Sequence, residues 1–494
     1  MPINIFQRIG VNFTAAKNAA YTWFSGGSTT FSDGAQTNRS RNKSNSVRPA
    51  SIMEELPSFS RRQLVQFSRY LDINQSYVSG MYSDIVNYVI RNGFTPEFFG
   101  GDAAWQADTK RLFLEWAKNP TSGGRNDLTA ELKVIVRAWL RDGEVFPCFT
   151  FRPDGTPCIQ TLETHVFSDY VIGYSMPTDG YLDGIKYNDT GEATAYRTFA
   201  GEPVLASSVV HVGEPTRANQ LRFFPPITPA INNCFDAKEL DQLAKQGFKL
   251  QLAIPILVQR AASGGNSAKE RTLGPQSAPT TADTSSQEFQ DVTGAVLLDL
   301  PMGSKVDLHR PEYPGPLYTV FKESLMRDAC VAVSWSYDFL VTTNLGGTPQ
   351  RAAIEKTKAR AEVIQDTIAW PVYRRAMLHW LSWAIETRLV PAVDNWWSVG
   401  YRKPRDMSID LGRDTRAILD EVGRLLMSPD EYFALYSQTP AEEFAKGAAA
   451  LQITPDEYRK LFILKNYGPE AASMLGLNAN NLQKGVDINA KLLQ

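Results

Sequence analysis

Residues 128–163 read LTAELKVIVRAWLRDGEVFPCFTFRPDGTPCIQTLE, and the change of texture inside them sets the fold class. From Leu128 to Leu140 the apolar residues keep the three- and four-residue steps of an amphipathic helix. Past Gly143 the pattern becomes β-branched and aromatic over Glu144–Phe151, breaks at the turn Pro153-Asp154-Gly155, and resumes at Cys158–Leu162. A helix feeding a hairpin is the expectation.

Upstream, Leu64, Phe67, Leu71, Tyr77, Val78, Met81, Ile85, Tyr88 and Val89 recur at helical spacing, and Asn92-Gly93 stops the run. A helix over Trp105–Ala117 follows. Downstream, short strand-like runs at Gly184–Tyr187, Ala193–Phe199 and Val209–Val212 are separated by turn residues such as Asn188-Asp189-Thr190-Gly191. Residues 51–225 therefore read as one α+β domain.

Pro225-Pro226 then opens a long polar-flanked helix from Thr228 to about Ala253, which Pro255 ends. Ile254–Val258, Ala295–Leu300 and Lys305–Leu308 read as short strands around a Gly/Pro/Ser/Thr-rich stretch, 263–286, expected to be a floppy or partner-ordered loop. Pro311-Glu312-Tyr313-Pro314-Gly315-Pro316 closes this excursion. Leu317, Val320, Phe321, Leu325, Ala329, Ala332 and Val333 trace a returning helix. After the loop Thr342–Pro349 a long helix starts at Gln350–Arg351, with a kink expected at Pro371 and an end near Leu389. Trp370, Trp380, Trp383, Trp396 and Trp397 mark this region as a dense core or subunit contact. Beyond about 405, three capping boxes with proline in the first turn (Ser428-Pro429-Asp430-Glu431, Thr439-Pro440-Ala441-Glu442, Thr454-Pro455-Asp456-Glu457) predict short helices.

Composition narrows the function. With 494 residues the chain should hold about two to four packed units. Its 51 Lys+Arg against 53 Asp+Glu give a net charge of −2, so no global basic field exists to grip nucleic acid or an anionic membrane. Cys148, Cys158, Cys234 and Cys330 lack CxxC spacing and point to a reducing compartment. The first residues carry no apolar run of the secretory kind, and no stretch of about 18 apolar residues occurs. Neither export by that route nor a membrane span is expected. Residues 1–50 are different: Arg8, Lys17, Arg39, Arg41, Lys43 and Arg48 face a single acid, Asp33. They form a basic tail that is either solvated or, through Arg39, Arg41, Lys43 and Arg48, touches nucleic acid or a neighbouring subunit.

Catalytic signatures are missing. No GxxxxGK[ST], HExxH, GxSxG or GxGxxG after a strand occurs. His165, His211, His309 and His379 have no ligand spacing and read as structural imidazoles. Asp430-Glu431 and Asp456-Glu457 are accounted for by capping. An enzyme with an irregular active site is disfavoured, and no cofactor or metal is expected. Two helices that leave a domain and return need neighbours to bury their faces, which a ring of identical subunits supplies.

Several stretches, in order, resemble the lambda-type phage portal proteins, or head–tail connectors. These are Arg69–Gly93; Leu140-Arg141-Asp142-Gly143-Glu144-Val145-Phe146; Asp183-Gly184-Ile185 with Ala195-Tyr196; Val209-Val210-His211 followed by Arg217-Ala218-Asn219-Gln220-Leu221-Arg222; and Val333–Leu340 with Gln350-Arg351-Ala352-Ala353. The likeness covers roughly 60–405. One departure stands out: the family's glycine after the arginine is replaced here, since Arg222 precedes Phe223-Phe224-Pro225-Pro226.

The resemblance implies an α+β portal-type subunit assembled as a ring, likened to twelve copies. Its parts would be a tail (1–50), a wing (51–225), stem helix 1 (226–253), a clip (254–316) with a loop at 261–290, stem helix 2 (317–339), a tunnel loop (340–350), a long kinked helix returning to the wing (351–404) and a crown (405–494). It implies a virion location at one capsid vertex after assembly in the host cytoplasm. Implied partners are the terminase large subunit, adaptor or neck proteins, major capsid or scaffold protein, and passing double-stranded DNA, with no membrane and no ATP hydrolysis. Thr342, Thr343, Asn344, Leu345, Gly346 and Gly347 would face the DNA, in a segment without Lys or Arg between Leu340 and Gln350; a plain helix–helix loop is the alternative. Ser263, Gly264, Gly265, Lys269 and Arg271 would meet partners at the clip. From a different class, a monomeric or dimeric DNA-binding protein working through its basic tail stays open.

Overall fold

The structure, a computed structural model, describes residues 52–167, 180–188, 190–198, 203–218, 220–253, 257–258, 291–292, 295–296, 298–299, 315–341, 348–404, 411–424, 426–428, 431–433 and 440–474. It mixes helix and sheet and divides into two compact units, Met1–Thr228 with Val333–Gln494, and Pro229–Ala332.

In the first unit, helices α1 (Ser58–Asn74), α2 (Ser76–Ile90), α3 (Ala103–Trp116) and α4 (Leu128–Asp142) flank the sheets. Asp102 and Asp127 cap α3 and α4 by accepting from the N–H groups of Trp105 and Ala130, at 2.8 and 2.7 Å. Strand β1 (Thr95–Phe98) precedes α3, and α4 delivers the chain into β2 (Glu144–Phe151), which pairs antiparallel with β3 (Pro157–Glu163) as the sequence predicts. A second sheet, β4 (Tyr181–Leu182), β5 (Ile185–Tyr187), β6 (Ala193–Arg197) and β7 (Pro203–Leu205), is an antiparallel meander. Phe146, Cys148, Phe167, Ile185, Tyr196 and Val209 form a common core between these sheets.

The strand expected at Val209–Val212 is shifted. Val209 makes one isolated bridge to Cys148, and the ladder with β2 exists only at β8 (Val212–Gly213). Pro147 explains this: with no N–H to give, it can only accept from Val210, at 3.0 Å, so the pairing is interrupted beside it.

In the second unit α5 (Ile231–Ala253) lies antiparallel to α6 (Pro316–Ala332). Asn233 donates to Asp328 at 3.1 Å, and Asp241 holds both Tyr318 and Lys322. The buried seam is narrow-chained: Cys234, Ala237 and Ala244 against Leu325, Ala329 and Cys330. Between the helices, β9 (Leu257–Val258) pairs with β12 (Leu298–Asp299), and β10 (Asp291–Val292) with β11 (Ala295–Val296). The strand expected at Lys305–Leu308 lies outside the described residues.

The helix expected at 317–339 is broken. After α6 the chain turns at Ser334 (φ 59°), and Trp335 donates to Asp84 at 3.0 Å before α7 (Tyr337–Leu340) begins. Edge-to-face contacts of Tyr88 with Trp335 and Phe339 anchor this break on α2. The long helix comprises α8 (Thr348–Ile364), a π turn (Gln365–Ala369) and α9 (Trp370–Glu386). Its irregularity therefore precedes Pro371, because the proline ring clashes with the carbonyl four residues back and a widened turn relieves it. Strand β13 (Val399–Arg402) returns to pair antiparallel with β1. The tryptophans divide: Trp380 is core, whereas Trp397 is 54% exposed.

Helices α10 (Leu411–Gly423), α11 (Pro440–Leu451) and α12 (Pro455–Met474) follow. Phe433, Phe444 and Phe462 meet at ring separations of 5.3–5.6 Å. Two of the expected capping boxes are reciprocal. The Ser428 and Thr454 N–H groups each donate to the third-following glutamate at 2.9 Å, and the Glu431 and Glu457 N–H groups return bonds at 3.2 and 3.3 Å. The third, at Thr439, lies outside the described residues.

Gly143 joins α4 to β2 in the left-handed region, φ 85°, where a side chain is strained. An added Cβ would also fall within 2.6 Å of the Phe224 Cα and closer still to its carbonyl. Gly155, in the β2–β3 turn with φ 81°, has open space around it. Gly143→Ala is expected to cost about 3 kcal/mol or more and Gly155→Ala about 1 kcal/mol, measured by denaturant unfolding. Equal losses would mean that the Phe224 contact is irrelevant.

Candidate functional site

The sequence-derived positions Thr342, Thr343, Asn344, Leu345, Gly346 and Gly347, Ser263, Gly264, Gly265, Lys269 and Arg271, and Arg39, Arg41, Lys43 and Arg48 all lie outside the described residues. What the structure does bring together are the segments that carry the family resemblance, and they meet around one carboxylate.

Glu144 is the first residue of β2 and is fully buried. Arg222 donates to it from Nε at 2.9 and 3.1 Å and from Nη2; Arg61, from α1, donates at 3.1 Å. His211 Nε2 lies 3.0 Å from its Oε2, the Phe223 N–H donates at 3.0 Å, and the Thr164 hydroxyl completes the shell. Asp183, in the β4–β5 turn, pairs with Arg61 at 2.9 Å and with Arg222 at 3.7 Å. Remaining Arg222 donors go to the carbonyls of Phe167 and Asp183. Two guanidiniums thus face two carboxylates, so the buried formal charge cancels. Cancellation matters because an isolated buried charge costs several kcal/mol.

Protonation follows from position. Burial alone would raise the Glu144 carboxyl, but Arg222, then Arg61, and the His211 bond override it and hold it well below the usual carboxylate range. His211 is stacked on Phe146 at 4.4 Å. Burial holds its imidazole below the ordinary value, helped by the two guanidiniums and opposed by the Glu144 bond. Burial and the neighbouring Arg375 likewise lower His379, whose Nε2 lies 3.0 Å from the Thr150 carbonyl.

A second cluster sits about two turns further along α1. Asp142 receives Arg69 at 2.6 and 2.8 Å and Arg141 at 3.0 Å, and Glu163 receives the same two arginines at 2.9 and 2.6 Å. A cavity of about 260 Å³ opens beside both clusters, lined by Arg61, Val65, Arg69, Thr164 and His165 among others. Among the described residues no group of three or more His, Cys, Asp or Glu could hold a metal ion, and no helix is long and apolar enough to cross a membrane. The arrangement joins elements that are distant in sequence.

Sequence reasoning had Glu144, Asp183, His211 and Arg222 within matched motifs but missed Arg61 and the convergence itself. The available signal was that these charges sit beside apolar runs with no local partner.

The family model for phage portal protein, lambda family, matches residues 38–365. This chain belongs to that family. Among solved structures, a chain of the virion of a native gene transfer agent particle is 12% identical with a TM-score of 0.43, over 76% of this chain and 94% of that one. A chain from the neck of an empty particle of the same kind is 13% identical with a TM-score of 0.41, over the same shares. No curated protein matches. Membership rests on the family match and makes the chain a virion portal or head–tail connector protein, of a structural rather than catalytic family.

The unfolded chain protonates its histidines near pH 6.5, above the folded values of His211 and His379. The contribution of these two groups to stability is therefore fully present above about pH 6.5 and is lost as the pH falls below it, less steeply for the partly exposed His379. Glu144, depressed from 4.5, adds a further loss below that value. His211→Gln sets an amide N–H near the position of Nε2, keeps a donor toward Glu144 and removes one titration. The fall in denaturant midpoint between pH 7 and about pH 5.5 is expected to shrink; an unchanged fall would take His211 out of the response.

Proposed function

We propose that the chain is the subunit of a portal ring of twelve copies at one capsid vertex, the channel through which double-stranded DNA is packaged and ejected. The observation that carries assembly is the outer face of α6. Leu317, Val320, Phe321 and Val331 are 79, 65, 55 and 70% exposed, while α5 and α6 share only a seam of small residues. Each large apolar side chain left in water forgoes about 1.5–3 kcal/mol, so this face calls for a partner. A second copy, related by rotation, supplies one at every position of a closed ring.

In this reading residues 51–225 with parts of 340–405 are the wing, 226–253 and 317–339 the stem, 254–316 the clip and 405–494 the crown. The terminase large subunit docks during packaging, and adaptor or neck proteins replace it; major capsid or scaffold protein surrounds the ring. Ser263, Gly264, Gly265, Lys269 and Arg271 are the proposed clip contacts. Thr342–Gly347 is the proposed DNA-facing loop, whose lack of Lys and Arg fits a conduit, since binding strengthens with every phosphate neutralised.

Native mass spectrometry is expected to give a species near twelve times 55.0 kDa. Leu317→Glu with Val320→Glu should convert it to smaller species with unchanged helix content. A monomer or dimer of the native chain would remove the ring reading. Lysines at Thr342 and Asn344 are expected to slow packaging several-fold, and an unchanged yield of filled particles would take that loop out of the DNA path.

A further inference from the structure

The helix from Thr348 to Glu386 changes geometry once. The Trp370 N–H bonds the Gln365 carbonyl, five residues back instead of four, so the turn holds one extra residue. This brings two apolar faces closer into line. Thr357, Ala361 and Ile364 are buried on α8, and Val372, Tyr373, Ala376, Met377, Trp380, Leu381 and Ala384 on α9. At 100° per residue these sets would lie about 150° apart on an uninterrupted α-helix, and the extra residue takes back about 100°.

The observed register is held from outside the helix. Gln365 Nε2 donates to the Val89 carbonyl at 2.8 Å. Asp366 receives the Tyr401 hydroxyl and, at 3.0 Å, Lys403 Nζ, and Trp370 stacks on the Tyr401 ring at 4.1 Å. The two halves are anchored unequally. Buried Tyr373, Met377 and Trp380 fix α9, and the Tyr373 hydroxyl donates to Phe94 at 3.0 Å. Smaller side chains hold α8, together with Arg360, which pairs with Glu214 through two 2.8 Å bonds.

We propose that the π turn is a register hinge, a two-state element at which α8 rotates by one residue against a fixed α9, with Tyr401 and Lys403 on Asp366 as the clamp on the observed state. In the second state the Trp370 N–H passes to the Asp366 carbonyl and α8 turns by about 100°. Arg360 leaves Glu214, and Gln365 leaves Val89. The side chains withdrawn from the core are then Thr357, Ala361 and Ile364 of α8 with Gln365 of the turn, fewer and smaller than those of α9, which is why α8 is the moving half. This hinge belongs to the single chain and does not depend on ring formation.

The test joins a cross-link to amide exchange on the full chain. Arg360→Cys with Glu214→Cys should be joined in the observed register by a short bis-maleimide cross-linker that spans the space the Arg–Glu side chains filled. Adding Tyr401→Phe and Lys403→Gln is expected to lower the rate of cross-linking at least threefold. In the same clamp variant without the cysteines, amide exchange over 357–370 should rise at least tenfold while that over 376–386 changes less than twofold. Unchanged exchange, or equal loosening of both halves, would overturn the hinge. Pro371→Ala provides a second route that leaves the clamp intact: by removing the ring that opposes α geometry, it should also lower cross-linking at least threefold, and an unchanged rate would count against the proposal.

Discussion

Glu144 is the point through which the first unit is tied. Its carboxylate is reached from α1 by Arg61, from the turn after β3 by Thr164, from the edge of β8 by His211 and from the following loop by Arg222 and the Phe223 N–H. These contacts span more than 150 residues of sequence, and none is local. Removing one partner from such a buried set leaves another charge uncompensated, at about 3–5 kcal/mol, so the elements are fixed jointly rather than pair by pair. Gly143 belongs to the same constraint: only a residue without a side chain lets the chain turn from α4 into β2 closely enough to present Glu144 beneath the Phe224 backbone.

Family membership gives this construction a sense. A fully hydrogen-bonded, charge-balanced network fixes one arrangement of the elements it joins, which suits the structural role of a portal protein. The exposed apolar face of α6 and the widened turn in the long helix are of a different kind, with no comparable charge network at either among the described residues.

The sequence was most legible where one signal acted alone. The helix-to-hairpin change at 128–163, the capping boxes at Ser428 and Thr454, and the ordered motifs behind the portal likeness all follow from local chemistry. It was least legible where a distant group decided the outcome. Pro147 interrupts a strand sixty residues away, Asp84 and Tyr88 capture Trp335 and break a helix, and the π turn depends on a phase difference between two faces as well as on Pro371. The charge cluster was hidden for the same reason, since Arg61 gives no sign in sequence of meeting Glu144 or Asp183. The residues singled out for the tunnel, clip and tail had only local composition and resemblance behind them.

The pairing of β1 with β13 joins Thr95 to Arg402 and Phe98 to Val399, on either side of the whole second unit. A ribosome adding about 5–20 residues per second needs roughly 15–60 s to travel between those strands. During that interval the nascent chain holds Phe94 and Phe98 without the aromatic partners Tyr373, Tyr401 and Trp380 that later enclose them. Completion of the first unit is therefore a late event in synthesis.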